Sequence, residues 1–139
     1  MSEKQNTELI HSVYDAFSRG DIPFILGKLT SDTVWNTEGP AAIPYTGVRK
    51  GESGVVAFFQ ALGGTLENMK LTTDHFVAQG DQVTTFGRFA GTVKATGKRF
   101  DAPVAHHFRI RDGKIAAFLD IIETASIAAA YQATASAAR

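Results

Sequence analysis

The chain has 139 residues, 44% hydrophobic and 20% charged, a composition that fits one folded domain and excludes a disordered chain. Its 14 basic and 14 acidic residues cancel, and no stretch concentrates Lys and Arg, so neither nucleic acid nor a membrane surface is an expected partner. There is no cysteine, which excludes disulfides, thiolate nucleophiles and cysteine-ligated metals.

The sequence predicts one domain and no targeting segment. Its first residues lack the basic and apolar regions of a signal peptide, and no later apolar run could span a bilayer, so we expect a cytoplasmic protein. Neither a repeat nor a linker interrupts it. We predict a single domain over residues 1–139, with its core at about 7–124 and a terminal helix or frayed tail at 125–139.

The first elements predict a helical hairpin. From Thr7 to Arg19 the apolar residues recur at the spacing of an amphipathic helix. Gly20 suits the position after its C-terminus, and Asp21 suits the N-cap of a second, short helix. The two helices should therefore pack side by side.

A strand and a third helix follow. Residues 33–37 are β-branched and aromatic, which favours a strand, and a loop then reaches to about Lys50. The third helix is predicted to begin at residues 51–53 and to end at Gly63-Gly64.

The second half predicts a meander of four long antiparallel strands. Turn signals separate them. Two glycines, Gly87 and Gly91, lie inside the second of these strands, where they favour a strong bend. The predicted strands are residues 69–78, 83–94, 99–111 and 114–123.

Alternation along the third long strand indicates which face is buried. The even positions from Phe100 to Ile110 are apolar except His106, whereas the odd positions include most of the charges. The even face should look towards the helices. We therefore predict an α+β fold, in which three helices from the N-terminal half cover a strongly curved antiparallel sheet and leave an apolar pocket.

Several motifs, in their order, resemble a known group. They are Arg19-Gly20-Asp21, Val34-Trp35, Tyr45 to Gly51, Val55 to Phe59, and Phe108 to Ile115. Over roughly residues 7–124 the chain resembles the nuclear transport factor 2-like superfamily, in particular its SnoaL-like branch. The resemblance implies a cone-shaped domain that often dimerises through the outer face of its sheet. Its members include polyketide cyclases, ketosteroid isomerases, epoxide hydrolases and non-catalytic modules, so the site residues must choose the chemistry.

For two of these activities, the sequence lacks the residues that the reaction requires. The ketosteroid isomerases need a carboxylate on the first strand, a Tyr on the first helix and a protonated Asp on the third long strand. The matching positions hold Asn36, Val13 and His106. The epoxide hydrolases need an Asp-Arg-Asp set; Asp120 matches one carboxylate, but no Arg-x-Asp occurs around Gly87.

The sequence matches the catalytic residues of the polyketide cyclases better. The resemblance implies an acid-base Asp on the last strand and a His on the strand before it, and Asp120 and His106 fit that pair. One carboxylate in an apolar cavity could remove a proton next to a carbonyl and return it to the new alkoxide. The hypothesis is cofactor-free acid-base chemistry of the cyclase or isomerase type on a small apolar carbonyl compound. The alternative is a non-catalytic domain that binds a small ligand or only dimerises.

Other candidate residues are predicted to line the pocket, with core packing as the alternative for several of them. No metal site is predicted, because the adjacent His106 and His107 point to opposite faces of a strand. The candidate substrate-binding residues are Tyr14, Trp35, Asn36, Phe59, Phe108, Phe118 and Ile122.

The catalytic hypothesis depends on the last hairpin. A two-residue turn at Asp112-Gly113 would leave Asp120 on the face opposite to His106. A three-residue loop that also includes Arg111 would put both groups on one face. We favour the three-residue loop because it fits the family pattern.

An apolar row on the last strand is assigned to the outer face of the sheet. Either the terminal helix covers this row or it forms a homodimer interface, and we favour the dimer. The row consists of Ile115, Ala117, Leu119 and Ile121.

Overall fold

A computed structural model describes residues 2–132, and within them four helices accompany one six-stranded, mostly antiparallel sheet. The predicted α+β class is therefore correct. None of the helices in this part of the chain is long and apolar enough to cross a membrane. The helices are α1 (Glu3–Ser18), α2 (Ile22–Leu26), α3 (Gly51–Thr65) and α4 (Thr124–Tyr131). The strands are β1 (Leu29–Thr37), β2 (Gly47–Lys50), β3 (Leu66–Gln79), β4 (Gln82–Val93), β5 (Arg99–Arg111) and β6 (Lys114–Ile122).

Helix α1 begins earlier than the predicted start at residue 7. The Ser2 hydroxyl accepts from the Gln5 backbone N–H at 3.0 Å, and the Gln5 side chain accepts from the Ser2 N–H at 2.9 Å. This capping box satisfies two N–H groups at the start of the helix. Asp21 caps α2 as predicted, accepting from the Phe24 N–H at 3.2 Å.

Helix α3 continues through Gly63-Gly64 to Thr65, so the predicted end at the glycines is wrong. The Thr65 hydroxyl donates to the carbonyl of Ala61 at 2.7 Å and lies 2.7 Å from the Tyr131 hydroxyl. These contacts, together with the burial of the apolar face of α3, outweigh the low helix propensity of glycine. Of the predicted terminal helix or tail at 125–139, residues 133–139 lie outside the described part of the chain.

The sheet has the strand order β2-β1-β6-β5-β4-β3. Strands β3 to β6 form the predicted antiparallel meander. Strand β1 then pairs in parallel with β6, and the four-residue β2 pairs antiparallel with β1. The sequence prediction placed β2 inside a loop, because four residues are too few to show a strand period.

The β5–β6 hairpin has a two-residue turn rather than the favoured three-residue loop. Arg111 pairs with Lys114, so only Asp112 and Gly113 lie between the paired residues. Both have positive φ angles, 51° and 74°. This is the geometry that matches the twist of a tight hairpin.

The two-residue turn alone would leave Asp120 and His106 on opposite faces, but a bulge in β6 brings them onto the same face. Ile110 pairs with Ile115, but the next pair joins Arg109 to Ala117, so Ala116 is an extra residue in β6. Beyond a bulge, every side chain of the strand changes face relative to the turn. Ile115 is thus fully buried on the inner face, and its assignment to the outer apolar row is wrong.

Close backbone approach explains one of the two glycines in β4. A Cβ atom on Gly87 would lie 1.8 Å from the carbonyl oxygen of Thr72 in β3. The register of β3 shifts beside this contact, at Asp74. A bulge and a glycine at neighbouring positions bend the sheet, as the curvature prediction required.

Helix α4 packs on the inner side of the sheet. Its Ile127 and Ala130 belong to the same buried cluster as Phe100 of β5. The outer face keeps large apolar side chains in solvent, with Phe86 exposed by 46% and Ile121 by 51%. In the part of the chain that the structure describes, helix α4 therefore does not cover the outer apolar surface.

Gly87→Ala should destabilise the domain by about 3 kcal/mol, because the strand backbone must move to admit the methyl group. Gly63→Ala is the matched control, since no atom lies within 4 Å of an added Cβ in helix α3. That change should be neutral or stabilising by up to ~1 kcal/mol. Urea unfolding measures both, and equal effects would contradict the role given to Gly87.

Candidate functional site

A cavity of about 70 Å³ lies between the inner face of the sheet and helices α1, α2 and α3. Apart from Tyr14, Trp35, His106 and Asp120, every side chain of its lining is a hydrocarbon. This inner cavity is lined by Val13, Tyr14, Phe17, Ile25, Trp35, Phe58, Phe59, Leu62, Leu71, Phe89, Val104, His106, Phe108, Phe118, Asp120 and Ile122.

A wider space of about 690 Å³, here called the opening, adjoins the inner cavity. Because sites for drug-sized ligands usually enclose ~300–1,000 Å³, the inner cavity alone admits only a small group. Five residues line both spaces: Tyr14, Phe17, Phe59, Leu62 and Leu71. The opening is lined in addition by Ser18, Arg19, Gly20, Ile22, Gly63, Met69 and Lys70.

His106 and Asp120 meet inside the inner cavity. They occupy directly opposite positions on β5 and β6. The Nε2 atom of His106 lies 3.3 Å from Oδ1 of Asp120, and each residue is only 7% exposed. An imidazole and a carboxylate in such apolar surroundings each need a polar partner, and here each supplies one to the other.

Tyr14 connects this pair to β4. Its hydroxyl lies 2.8 Å from Nδ1 of His106 and 2.5 Å from the hydroxyl of Thr85. Burial raises the pKa of Tyr14 far above its ordinary value of 10, although the hydrogen bond with Thr85 acts in the opposite direction. Tyr14 therefore remains a phenol, able to donate one proton, at any physiological pH.

One arrangement of protons connects the polar side chains of the site from Thr85 to Asp120. Thr85 donates to the oxygen of Tyr14, Tyr14 donates to Nδ1 of His106, and Nε2–H of His106 faces the Asp120 carboxylate. The reverse arrangement would turn the Nε2 lone pair towards that carboxylate, which is repulsive. Of the two neutral tautomers of His106, this comparison favours the one with its proton on Nε2.

Asp120 keeps one oxygen free of aligned donors. Its Oδ2 accepts from the Thr37 hydroxyl at a long 3.4 Å. Its Oδ1 is buried and, among residues 2–132, receives no hydrogen bond, because the His106 contact lies outside hydrogen-bond geometry. A lone pair on Oδ1 is thus available to a group that enters the cavity.

Aromatic rings surround the pair. The ring centroid of Phe118 lies 4.5 Å from that of Trp35 and 5.0 Å from those of His106 and Phe108. Trp35 is the chain's one tryptophan, and its buried Nε1–H has no acceptor among the described residues. The cavity therefore combines a flat apolar wall with few polar groups.

Most residues predicted from the sequence lie along this cavity, but Asn36 does not. The side chain of Asn36 bonds Glu38 at 3.1 Å on the opposite face of β1. Thr37, the next residue along the strand, contacts the carboxylate instead. Sequence reasoning also missed Thr85. Alternation from the buried Trp35 and Val83 would have placed both threonines on the inner face.

No cluster of three or more potential metal-ligating side chains occurs in the described part of the chain. His107 lies on the other face of β5 from His106 and bonds the Gln82 side chain at 2.7 Å. The two adjacent histidines thus serve different faces of the sheet.

Comparison with known proteins identifies the class of this cone-shaped α+β domain. The family model of the SnoaL-like domain matches residues 10–118, so the chain belongs to the SnoaL-like domain family. A search of curated protein sequences gives no match.

Solved structures agree closely with the fold. An NTF2-like protein of unknown function from Burkholderia pseudomallei is 27% identical with a TM-score of 0.84, covering 96% of this chain and 100% of its own. An NTF2-like protein from Burkholderia xenovorans is 26% identical with a TM-score of 0.85, covering 95% and 99%. TerC, co-crystallised with polyporic acid, is 28% identical with a TM-score of 0.83, covering 91% and 98%.

Tyr14→Phe should remove the proton donor to His106 and leave Nδ1 and the Thr85 hydroxyl without their partner. We expect a stability loss of about 1–2 kcal/mol and a change in the His106 tautomer, seen in the ¹⁵N shifts of its imidazole. Tyr131→Phe is the control. It removes the bond to Thr65 but should leave those shifts unchanged. An unaltered tautomer in Tyr14→Phe would contradict the proton assignment.

Proposed function

We propose that this protein is an enzyme that performs cofactor-free acid-base chemistry, of the cyclase or isomerase type, on a small apolar carbonyl compound. Asp120 is the base and acid, and His106 is its partner. The observation that carries the proposal is the buried contact between these two groups in an otherwise apolar cavity. Buried ionisable pairs in a cleft are typical of reactive sites.

The chemistry uses one carboxylate twice. Oδ1 of Asp120 takes a proton from the carbon next to a carbonyl, the C–H electron pair moves into the carbonyl group, and an enolate forms. In a cyclase, the enolate carbon bonds to a second carbonyl carbon of the same molecule. Asp120 then returns its proton to the resulting alkoxide, so atoms and charge balance without any other reactant.

His106 has the position of an orienting group. Its Nε2–H lies beside Asp120 and its Nδ1 is held by Tyr14, which restricts rotation of the ring. A fixed N–H next to the carboxylate orients that group and holds Oδ1 towards the cavity. Because the base is positioned before the substrate enters, less entropy is lost when the reacting groups come together.

A similar protein supports the use of the cavity by a small molecule. TerC was co-crystallised with polyporic acid and shares 28% of its residues over nearly its whole length. We infer that this chain likewise holds a small organic ligand, with its reacting group in the inner cavity and its remainder in the opening.

Asp120→Asn should abolish proton transfer while leaving the fold intact, because an amide has similar size but accepts no proton. The measurement is deuterium incorporation next to the carbonyl of small aryl ketones such as 2-tetralone, followed by mass spectrometry in D₂O. We expect the rate to fall by about 10²-fold or more.

Asp112→Asn is the matched control, because Asp112 lies in the exposed turn between β5 and β6 and Asn tolerates its positive φ. It should leave the exchange rate unchanged. Equal exchange in Asp120→Asn and in the unaltered protein would refute the role of Asp120.

The alternative is a non-catalytic domain that holds a metabolite in the same cavity. Trp35 lies in the wall of the small inner cavity, so a ligand that enters should change its fluorescence. Ketones that change the fluorescence of Trp35 without exchanging a proton would support binding alone. Exchange that depends on Asp120 would support the enzyme.

We also propose a homodimer through the outer face of the sheet. Phe86 pairs with Ala105, which in turn pairs with Ile121, so these residues form an apolar row across three strands. Such a contiguous exposed row favours association, and an identical chain offers the same row in a two-fold arrangement.

Phe86→Lys and Ile121→Lys should each convert the dimer into a monomer, because a buried unpaired ammonium would oppose association. Light scattering coupled to size exclusion measures the mass. Met69→Lys, at a partly exposed apolar residue of the opening, is the control and should remain dimeric. A monomeric unaltered protein at micromolar concentration would contradict the proposal.

A further inference from the structure

The opening differs from the inner cavity in its charge. Among the described residues of its lining, the side chains that are charged at neutral pH are Arg19 at the end of α1 and Lys70 in β3, and both are cations. None of the lining residues within 2–132 carries a carboxylate. A ligand that fills the inner cavity and extends outwards would therefore meet positive charge after an apolar passage.

The two cations are not equivalent. Arg19 contacts the carboxylates of Asp15 and Asp21, which offset its charge. Lys70 has no such partner within residues 2–132 and is exposed. Lys70 is thus the cation at the opening that a ligand anion could pair with.

A bulge brings Lys70 to this place. The register between β3 and β4 shifts between Glu67 and Lys70, and Asn68 has a φ of 54°, in the left-handed region. In a regular strand, adjacent side chains point to opposite faces. Here three consecutive residues, Met69, Lys70 and Leu71, all line the opening, which a bulge permits because it re-aims side chains.

We propose that the opening is a subsite for an anionic group, with Lys70 as its counter-ion. The substrate class is then an amphiphile, with a compact apolar carbonyl end in the inner cavity and a carboxylate or an acidic hydroxyl at the opening. Met69 and Leu71 flank the cation, so the chain leading to the anion can remain in apolar contact. The inference rests on the proposed ligand site in the inner cavity but does not require catalysis.

The chemistry of the two spaces supports this order of groups. Placing an anion in the inner cavity would bring it against Asp120 and a wall of aromatic rings, both unfavourable. At the opening the same anion keeps contact with water and gains an ammonium partner. A charge in that position also fixes which end of the ligand faces Asp120.

A matched pair of probes tests the subsite in the full chain. The probes are 4-phenylbutanoate and 4-phenylbutanamide, which have the same length and ring but differ in charge, and binding is followed by calorimetry and Trp35 fluorescence. We expect the acid to bind about tenfold more tightly than the amide at low salt, and the difference to shrink as salt is raised.

Lys70→Ala should remove the preference for the acid while leaving the affinity for the amide unchanged. Lys114→Ala, at an exposed lysine outside the opening, should keep the preference. Equal affinities of acid and amide in the unaltered protein, or a preference that survives in Lys70→Ala, would overturn the subsite. Failure of both probes to bind would overturn the subsite and also the use of the inner cavity by ligands. Deuterium exchange on 2-tetralone, which carries no anion, tests the catalytic proposal separately.

Discussion

The extra residue in β6 is the constraint on which the site depends. With the two-residue turn at Asp112-Gly113 and no bulge, Asp120 would face outwards and His106 would lie opposite Leu119. Ala116 shifts the register by one and turns the carboxylate inwards. The bulge therefore reconciles a tight, favourable turn with a buried polar pair, and any insertion or deletion between the turn and Asp120 would separate the two groups.

Once the carboxylate faces inwards, the other polar side chains of the site are needed to offset the free-energy cost of burying it. Burying an ionised group without partners costs several kcal/mol. His106 supplies the adjacent N–H, Tyr14 and Thr85 fix the proton on that ring, and Thr37 makes a long contact to the second oxygen. Yet Oδ1 of Asp120 remains without an aligned donor, which a purely structural carboxylate would be expected to avoid. This incomplete satisfaction is what makes the pair a reactive candidate.

The sequence predicts the elements better than their registers. Periodicity reveals the helices, the long strands and the buried even face of β5 because each signal extends over many residues. A single inserted residue such as Ala116 has no periodic signature, so the prediction reached the correct shared face through an incorrect turn. Asn36 was misplaced for a related reason, since one position along β1 decides the face. Continuation of α3 through Gly63-Gly64 follows from tertiary packing, which local propensity does not contain.

The two adjoining spaces together would restrict the proposed ligand more than either space alone. The inner cavity, at about 70 Å³, holds little more than one small ring or carbonyl group beside Asp120. In the proposed function, this cavity would select strictly by shape, but only for the end of the molecule that enters it. The opening is far larger, and Lys70 has no ion-pair partner there among residues 2–132, so the proposed subsite would select the remainder mainly through its charge. Because the apolar passage between them is shared, a molecule can satisfy both only in one orientation. Under the proposed function, the fold would determine which carbon of the ligand meets Asp120 before proton transfer begins.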